Sequence, residues 1–171
     1  EAEIIDRLGL QAARLDGWLF SDTYLFDKQS SDLELLARAL RSMQGKVASE
    51  WTGRAEGLPY KAPHDALVMA SIVEKETGRE ADRTLVAAVF VNRLRKGMLL
   101  QTDPTVIYGL GDAFDGNLRK RDLQTDTPYN TYKRPGLPPT PIAMPGLASL
   151  RAALHPAASE ALYFVARGDG S

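Results

Sequence analysis

The sequence predicts an α+β fold, in which a helical half over about residues 32–97 precedes a loop-rich, proline-rich wall with short strands. Two patterns support this class. Apolar residues recur at helical spacing up to residue 97. Six of the ten prolines lie between Pro128 and Pro145, where they stiffen loops and exclude central strands. Because 171 residues with 44% apolar content can bury one core, we expect a single domain.

Helices account for the first half of the predicted fold. Ser31 is the N-cap of the long second helix, Pro63 opens the third, and Gly78 and Gly97 end the third and fourth. Leu85 lies at a core-facing position of the fourth helix. In order, the helices cover about residues 1–15 (a short amphipathic helix), 32–51, 63–77 and 79–96.

Short segments separated by glycine and proline make up the predicted second half. Residues 101–105 form a polar turn that Pro104 rigidifies. Residues 147–154 fit a short helix, and residues 162–165, Leu-Tyr-Phe-Val, fit a strand.

Composition argues against several classes of function. Lys plus Arg number 21 against 22 Asp plus Glu, so nothing indicates a surface for nucleic acid. The chain has no cysteine, and His64 and His155 are not in ligand-like spacing, so we expect no metal site. No phosphate-binding glycine loop is found, and no cofactor is predicted. The sequence contains no run of about 18 apolar residues, which is the length that spanning a bilayer requires.

The segment ASIVEKETG places two acids in an apolar helix. At about 100° per residue, Glu76 falls on the apolar arc of Ile72 and Val73, whereas Glu74 lies about 160° away. Burial and the C-terminal end of the helix dipole should raise the pKa of Glu76, as a general acid that cleaves sugars requires. The alternative is that both acids are exposed near a frayed helix end, with Glu76 paired to Arg79.

Two further segments, residues 101–105 and 128–132, carry side chains that suit a glycan. Aromatic faces cover sugar C–H surfaces, while amides and carboxylates bind hydroxyl pairs. The alternative for both segments is ordinary turn chemistry. Asp103 could act as a second carboxylate in a two-acid hydrolase, whereas no serine elbow supports a nucleophilic triad. The candidate binding residues are Gln101, Asp103, Thr105, Tyr129, Asn130 and Tyr132.

Collinear motifs link the sequence to a known family. They are ASIVEKETG, VFVNRLRKGMLLQTDPTVIYGLG, TPYNTY, GLPPTPIAMPG, LRAALHP and LYFVARGDG, in that order. From about Trp18 to its last residue, the chain resembles the endolytic murein transglycosylases, the YceG-like or MltG-type proteins. Thr140 departs from the commoner glycine of the GLPPGPI motif, so this loop does not demand a glycine there.

The resemblance implies an activity and a catalytic residue. Members cut the β-1,4 bond between N-acetylmuramic acid and N-acetylglucosamine within peptidoglycan strands and leave 1,6-anhydromuramic ends. Glu76 matches the family's catalytic glutamate, which acts first as an acid and then as a base, and Glu74 becomes a supporting, substrate-binding residue. A two-carboxylate glycoside hydrolase using Glu76 with Asp103 and a non-catalytic glycan-binding module are the alternatives.

The resemblance also implies how the whole protein is organised. Residues 1–171 would be a single catalytic, YceG-like domain, without the N-terminal membrane anchor and LysM-like domain of the family and with a truncated C-terminal end. The full-length protein would be a single-pass protein of the bacterial inner membrane with its catalytic domain facing the periplasm. Its expected partners are peptidoglycan glycan strands and cell-wall synthases.

Overall fold

The computed structural model describes residues 1–165 and folds them mainly as α-helices joined by loops. The helices predicted near residues 32–51 and 63–77 are confirmed to within about one residue at each end. The predicted fourth helix begins several residues late, because a short 3-10 turn, Glu80–Asp82, precedes it. The α-helices are α1 (Ala2–Arg7), α2 (Asp32–Thr52), α3 (Pro63–Glu76), α4 (Arg83–Arg95), α5 (Asp103–Leu110) and α6 (Leu147–Leu154).

Helix α2 begins at the N-cap that the sequence predicts. The Ser31 hydroxyl accepts the N–H of Glu34 at 3.2 Å, and Oε2 of Glu34 accepts the N–H of Ser31 at 2.7 Å. This reciprocal pair satisfies two backbone donors that would otherwise lack an intrahelical partner.

Helix α3 forms the centre of the core. All its residues from Ala66 to Val73 are buried, and it packs against α2, α4, α5 and α6. A helix that is apolar on all sides is stable only when neighbours cover each side. This central position fixes the direction of α3, and therefore fixes where its C-terminal acids emerge.

The proline-rich wall lies against α3 and the N-terminal segment. The N–H of Ile142 donates to the hydroxyl of Ser71 at 2.9 Å, and the N–H of Gly17 donates to Sδ of Met144 at 3.1 Å. Ser71 is fully buried and Ile142 nearly so. The wall is thus a packed part of the domain, as the proline density predicts.

The predicted β component of the fold is wrong, because residues 1–165 contain no β-strand. Residues 162–165 lie at the end of the described chain with no strand beside them. Side chains of α4 bind this segment instead: the Asn92 amide donates to the carbonyls of Ser159 and Ala161, and Arg93 donates to that of Leu162 at 2.7 Å. These bonds replace those of a strand ladder. Residues 166–171, the end of the LYFVARGDG motif, lie outside the described residues.

Two further local predictions also need correction. Helical structure does not end at residue 97, because the predicted polar turn at Pro104 is the first turn of α5. Asp103 and Pro104 occupy its first two positions, which favour an acid and a proline. Leu85 is 53% exposed and does not face the core, because the buried residues of α4 begin at Val86.

The prediction of a single-pass inner-membrane protein is not supported by the structure. Within residues 1–165, no helix combines the length and the apolar character that crossing a bilayer requires. The longest helix, α2, has enough residues but carries charged side chains along its length, among them Arg38, Arg41, Lys46 and Glu50.

Candidate active site

Glu76 is the last residue of α3, and its side chain is half-buried. Its Oε2 accepts a hydrogen bond of 2.8 Å from the Thr102 hydroxyl. Burial raises the pKa of Glu76 above its ordinary value, the Thr102 hydrogen bond opposes this rise, and the negative charge of Asp103 adds to it. The pKa direction predicted from the helical wheel is confirmed.

Glu74 lies in a different environment, although only one residue separates it from Glu76. Its Oε2 accepts the N–H of Gly146 at 3.0 Å and the hydroxyl of Ser149 at 2.6 Å, at the start of α6. Nε of Arg83 donates to the same Ser149 hydroxyl at 3.2 Å. The structure therefore places Glu74 as a tie between α3 and α6.

Three buried threonines connect the start of α5 to the proline-rich wall. The Thr105 hydroxyl donates to the Thr102 carbonyl at 2.7 Å and lies 2.8 Å from the Thr131 hydroxyl, which accepts the Thr102 N–H at 3.1 Å. All three residues are at most 2% exposed. Thr105, a predicted sugar ligand, is thus an internal residue that helps to hold Thr102 against Glu76.

Asp103 and Tyr132 form a polar rim beside Glu76. The Tyr132 hydroxyl donates a short hydrogen bond to Oδ1 of Asp103. Burial, this bond and the charges of Asp103 and Glu76 all raise the pKa of Tyr132, so the phenol keeps its proton. Gln101 is exposed next to them, in a left-handed backbone conformation with φ of 51°, and its N–H donates to the Thr131 carbonyl at 3.1 Å.

Asn130 and Tyr129 hold the wall together. Asn130 is fully buried; its amide donates to the carbonyls of Leu123 (3.0 Å) and Thr125 (2.6 Å) and accepts the N–H of Tyr132 (2.9 Å). This residue positions Tyr132 and has no surface to offer a sugar. Tyr129 is half-buried, with its hydroxyl 2.9 Å from that of Thr140.

A groove with a volume of about 740 Å³ is lined by Glu76. Val86, Val89 and Phe164 give it an apolar side, and Arg79 and Asp82 give it charge. Phe164 also packs edge-on against Phe90 of α4, with ring centroids 5.7 Å apart. A concave site that combines an apolar side with a few charged groups suits a ligand that carries both kinds of surface.

Arg93 is a structural residue of the site that the sequence interpretation did not identify. Arg93 is 8% exposed, and its guanidinium donates to the carbonyls of Leu100 and Leu162, both at 2.7 Å. It therefore joins the loop that leads into α5 to the segment that lines the groove. Thr102 and Thr131 lie within the two predicted segments, 101–105 and 128–132, but are not among the candidate binding residues. Thr102 immediately precedes the Asp-Pro pair, a helix-start signal that could have identified it as the N-cap.

The structure brings together some of the predicted site residues and separates others. Glu76, Asp103 and Tyr132 are neighbours around Thr102, and Gln101 lies next to them in the chain. Thr105 and Asn130 lie inside the protein, and Glu74 faces α6. Across residues 1–165, no three His, Cys, Asp or Glu side chains cluster in a way that could hold a metal ion.

Sequence comparison relates the chain to curated bacterial enzymes. It is 43% identical over 156 residues to an endolytic murein transglycosylase of Bacillus subtilis, covering 91% of this chain and 43% of the relative. It is 35% identical over 159 residues to an endolytic murein transglycosylase of Streptococcus pneumoniae, covering 90% of this chain and 28% of the relative. The chain thus spans less than half the length of these relatives.

A comparison with solved structures agrees with the sequence comparison. A crystal structure of a YceG-like protein from Listeria monocytogenes matches with a TM-score of 0.79 and 37% identity, covering 97% of this chain and 57% of that one. The model of the YceG-like family matches residues 2–171. A match over nearly the whole chain, together with relatives at this identity, shows that the chain belongs to the YceG-like family.

Proposed function

We propose that this chain is the catalytic domain of an endolytic peptidoglycan lytic transglycosylase. The observation that carries the proposal is Glu76, a half-buried carboxyl with a raised pKa that lines a groove large enough for sugar rings. The names of the relatives from Bacillus subtilis and Streptococcus pneumoniae support the same activity. The proposed substrates are the glycan strands of peptidoglycan, and the resemblance adds cell-wall synthases as partners of the whole protein.

A single carboxyl is sufficient for the proposed reaction. Neutral Glu76 donates its proton to the oxygen that bridges N-acetylmuramic acid to N-acetylglucosamine, and the C1–O bond of the muramic acid breaks. The resulting Glu76 carboxylate takes the proton of the muramic acid 6-hydroxyl as that oxygen bonds to C1. One C–O bond breaks and one forms, Glu76 regains its proton, and no water is consumed.

The polar rim supports this assignment through its position and charge. Positive charge develops at C1 as the bond breaks, and a fixed carboxylate nearby stabilises it without reorganisation. Asp103 supplies that charge beside Glu76, and the neutral Tyr132 phenol orients it. We propose Gln101, Asp103 and Tyr132 as residues that contact sugars, and Glu74, Thr105, Tyr129 and Asn130 as residues that hold the site in place.

The test is digestion of purified sacculi by the wild type, Glu76→Gln and Glu80→Gln. Glu80 is an exposed acid close to Glu76 in the chain and serves as the matched control. Loss of a general acid and base should lower turnover by about 10²–10⁴-fold in Glu76→Gln and leave Glu80→Gln unchanged. Sacculus binding should persist in both variants. Undiminished cleavage by Glu76→Gln would refute the proposal, and binding without cleavage by the wild type would favour a glycan-binding module.

A further inference from the structure

The hydroxyl of Thr102 is a buried donor directed at the proposed catalytic carboxyl. It lies 2.8 Å from Oε2 of Glu76, and Thr102 itself is 1% exposed. A hydroxyl has one hydrogen to donate, so the orientation of this bond depends on what the surrounding groups require.

The neighbouring threonines have their hydrogens assigned by their partners. The Thr105 hydroxyl uses its hydrogen on the Thr102 carbonyl at 2.7 Å, so the contact of 2.8 Å between Thr105 and Thr131 must take its hydrogen from Thr131. The Thr131 hydroxyl in turn accepts the N–H of Thr102 at 3.1 Å. The backbone on both sides of Thr102 is therefore fixed, and its hydroxyl is left to donate to Glu76.

We propose that Thr102 is a positioning residue that keeps Oε2 of Glu76 as a hydrogen-bond acceptor and so leaves Oε1 to carry the transferable proton. This inference rests on the proposed function, in which Glu76 gives up a proton and takes one back. An oxygen that already accepts a hydrogen bond is the poorer site for the acidic proton, because that proton would compete with the Thr102 hydrogen. Thr102 thus selects which oxygen acts on the sugar bridge.

The same bond affects both halves of the reaction. Once Glu76 has lost its proton, the Thr102 hydroxyl stabilises the carboxylate and opposes the effect of burial and of Asp103. The other charged or titratable groups around the carboxyl are Tyr132 from the wall, and Arg79 and Asp82 from the groove. Removal of the Thr102 hydroxyl should therefore raise the pKa of Glu76 further and leave the carboxyl free to rotate.

The experiment compares Thr102→Val, Thr102→Ser and Ser71→Ala with the wild type. Valine keeps the shape of threonine without the hydroxyl, and serine restores the hydroxyl. Ser71→Ala removes another buried hydroxyl of the core, which bonds to Ile142 and not to Glu76 or Thr102, so it controls for a merely structural effect. The readouts are the pH profile of kcat/KM on sacculi and the NMR titration of the Glu76 side-chain carboxyl.

The expected result for Thr102→Val is a loss of kcat/KM of about 10²-fold from misplacement of the carboxyl. The alkaline limb of its pH profile and the Glu76 titration should both move to higher pH. Thr102→Ser should reverse these changes, and Ser71→Ala should lower the melting temperature without moving either curve. Should Thr102→Val fail to fold, Thr102→Ala takes its place with the same expected shifts.

Two outcomes separate the inference from the function on which it rests. Unmoved curves in Thr102→Val, with Glu76→Gln inactive, would overturn the role of Thr102 and leave the transglycosylase proposal standing. A shifted Glu76 titration in Thr102→Val, with Glu76→Gln fully active, would uphold the hydrogen bond and refute the proposed function.

Discussion

The carboxylate of Glu74 accepts a hydrogen bond of 2.6 Å from the hydroxyl of Ser149, on the opposite side of α3 from Glu76. Two residues along, Glu76 bonds instead to Thr102 at the start of α5. The helical phase directs the two side chains to different sides of α3, so two acids that are close in the sequence bond to different elements. One carboxylate binds the N-terminal end of α6, and the other lines the groove.

Replacement of Glu74 should lower stability before it affects substrate binding. Glu74→Ala leaves the Gly146 N–H and the Ser149 hydroxyl without this partner and removes a negative charge from a helix N-terminus, at a cost of about 1–3 kcal/mol. Glu74→Gln should cost less, because its carbonyl oxygen still accepts. Urea unfolding measures both. Unchanged stability in Glu74→Ala, combined with a raised KM, would restore Glu74 as a substrate ligand.

Glu76→Gln should be more stable than the wild type at neutral pH. Burial raises the folded-state pKa of Glu76 above the ordinary value of 4.5, so the folded state favours the protonated acid. The stability that protonated Glu76 contributes to the folded state is fully present below pH 4.5 and is lost as the pH rises through the raised pKa. Glutamine never ionises and avoids the loss. Unfolding free energies should therefore diverge in favour of the variant between pH 4 and pH 8; a constant difference would count against the raised pKa.

Asn130 should tolerate neither alanine nor aspartate. Asn130→Ala removes a buried amide that serves three backbone groups and should cost about 2–4 kcal/mol. Asn130→Asp keeps the shape of the side chain but places a carboxylate oxygen against the Leu123 and Thr125 carbonyls. This variant should therefore lose stability as the pH rises above the ordinary pKa of an aspartate. Thermal unfolding at pH 4 and pH 8 measures this. A pH-independent Asn130→Asp variant would contradict the buried arrangement.

Gly17 should be less replaceable than Gly9, although both have positive φ angles, 81° and 63°. A Cβ on Gly17 would lie 2.5 Å from Pro141, whereas nothing lies within 4 Å of one on Gly9. We expect Gly9→Ala to cost about 1 kcal/mol from backbone strain and Gly17→Ala about 2–4 kcal/mol from strain plus overpacking. Chemical denaturation of the two variants gives the comparison. Equal losses of unfolding free energy would show that Pro141 moves aside for a side chain at position 17.

Local signals made much of the helical structure predictable. The bounds of α2 and α3 follow from apolar spacing, the Ser31 cap and Pro63, and α6 occupies the residues expected. Helix α5 was missed because Thr, Asp and Pro begin both turns and helices, and only tertiary packing decides between them. The Leu-Tyr-Phe-Val run has the composition of a strand, but in the structure the side chains of Asn92 and Arg93 bind the carbonyls of Ala161 and Leu162.

The site was predictable where one helix determines it and unpredictable where distant segments meet. The phase of α3 alone indicated that Glu76 faces its apolar arc and that Glu74 does not. No local pattern could show that Thr102 bonds to Glu76, or that Asn130 turns inward, because these contacts depend on how α5 and the wall pack on α3. Turn residues such as Thr105 and Asn130 therefore looked like ligands in the sequence, whereas the structure buries both of them.

The most direct test of the single-carboxyl mechanism is digestion of sacculi in water enriched in oxygen-18, with mass spectrometry of the products. We predict muramic ends in the 1,6-anhydro form that carry no solvent oxygen, because the 6-hydroxyl of the sugar itself closes onto C1. Reducing ends that contain oxygen-18 would contradict this account and point to a hydrolase in which Asp103 acts together with Glu76.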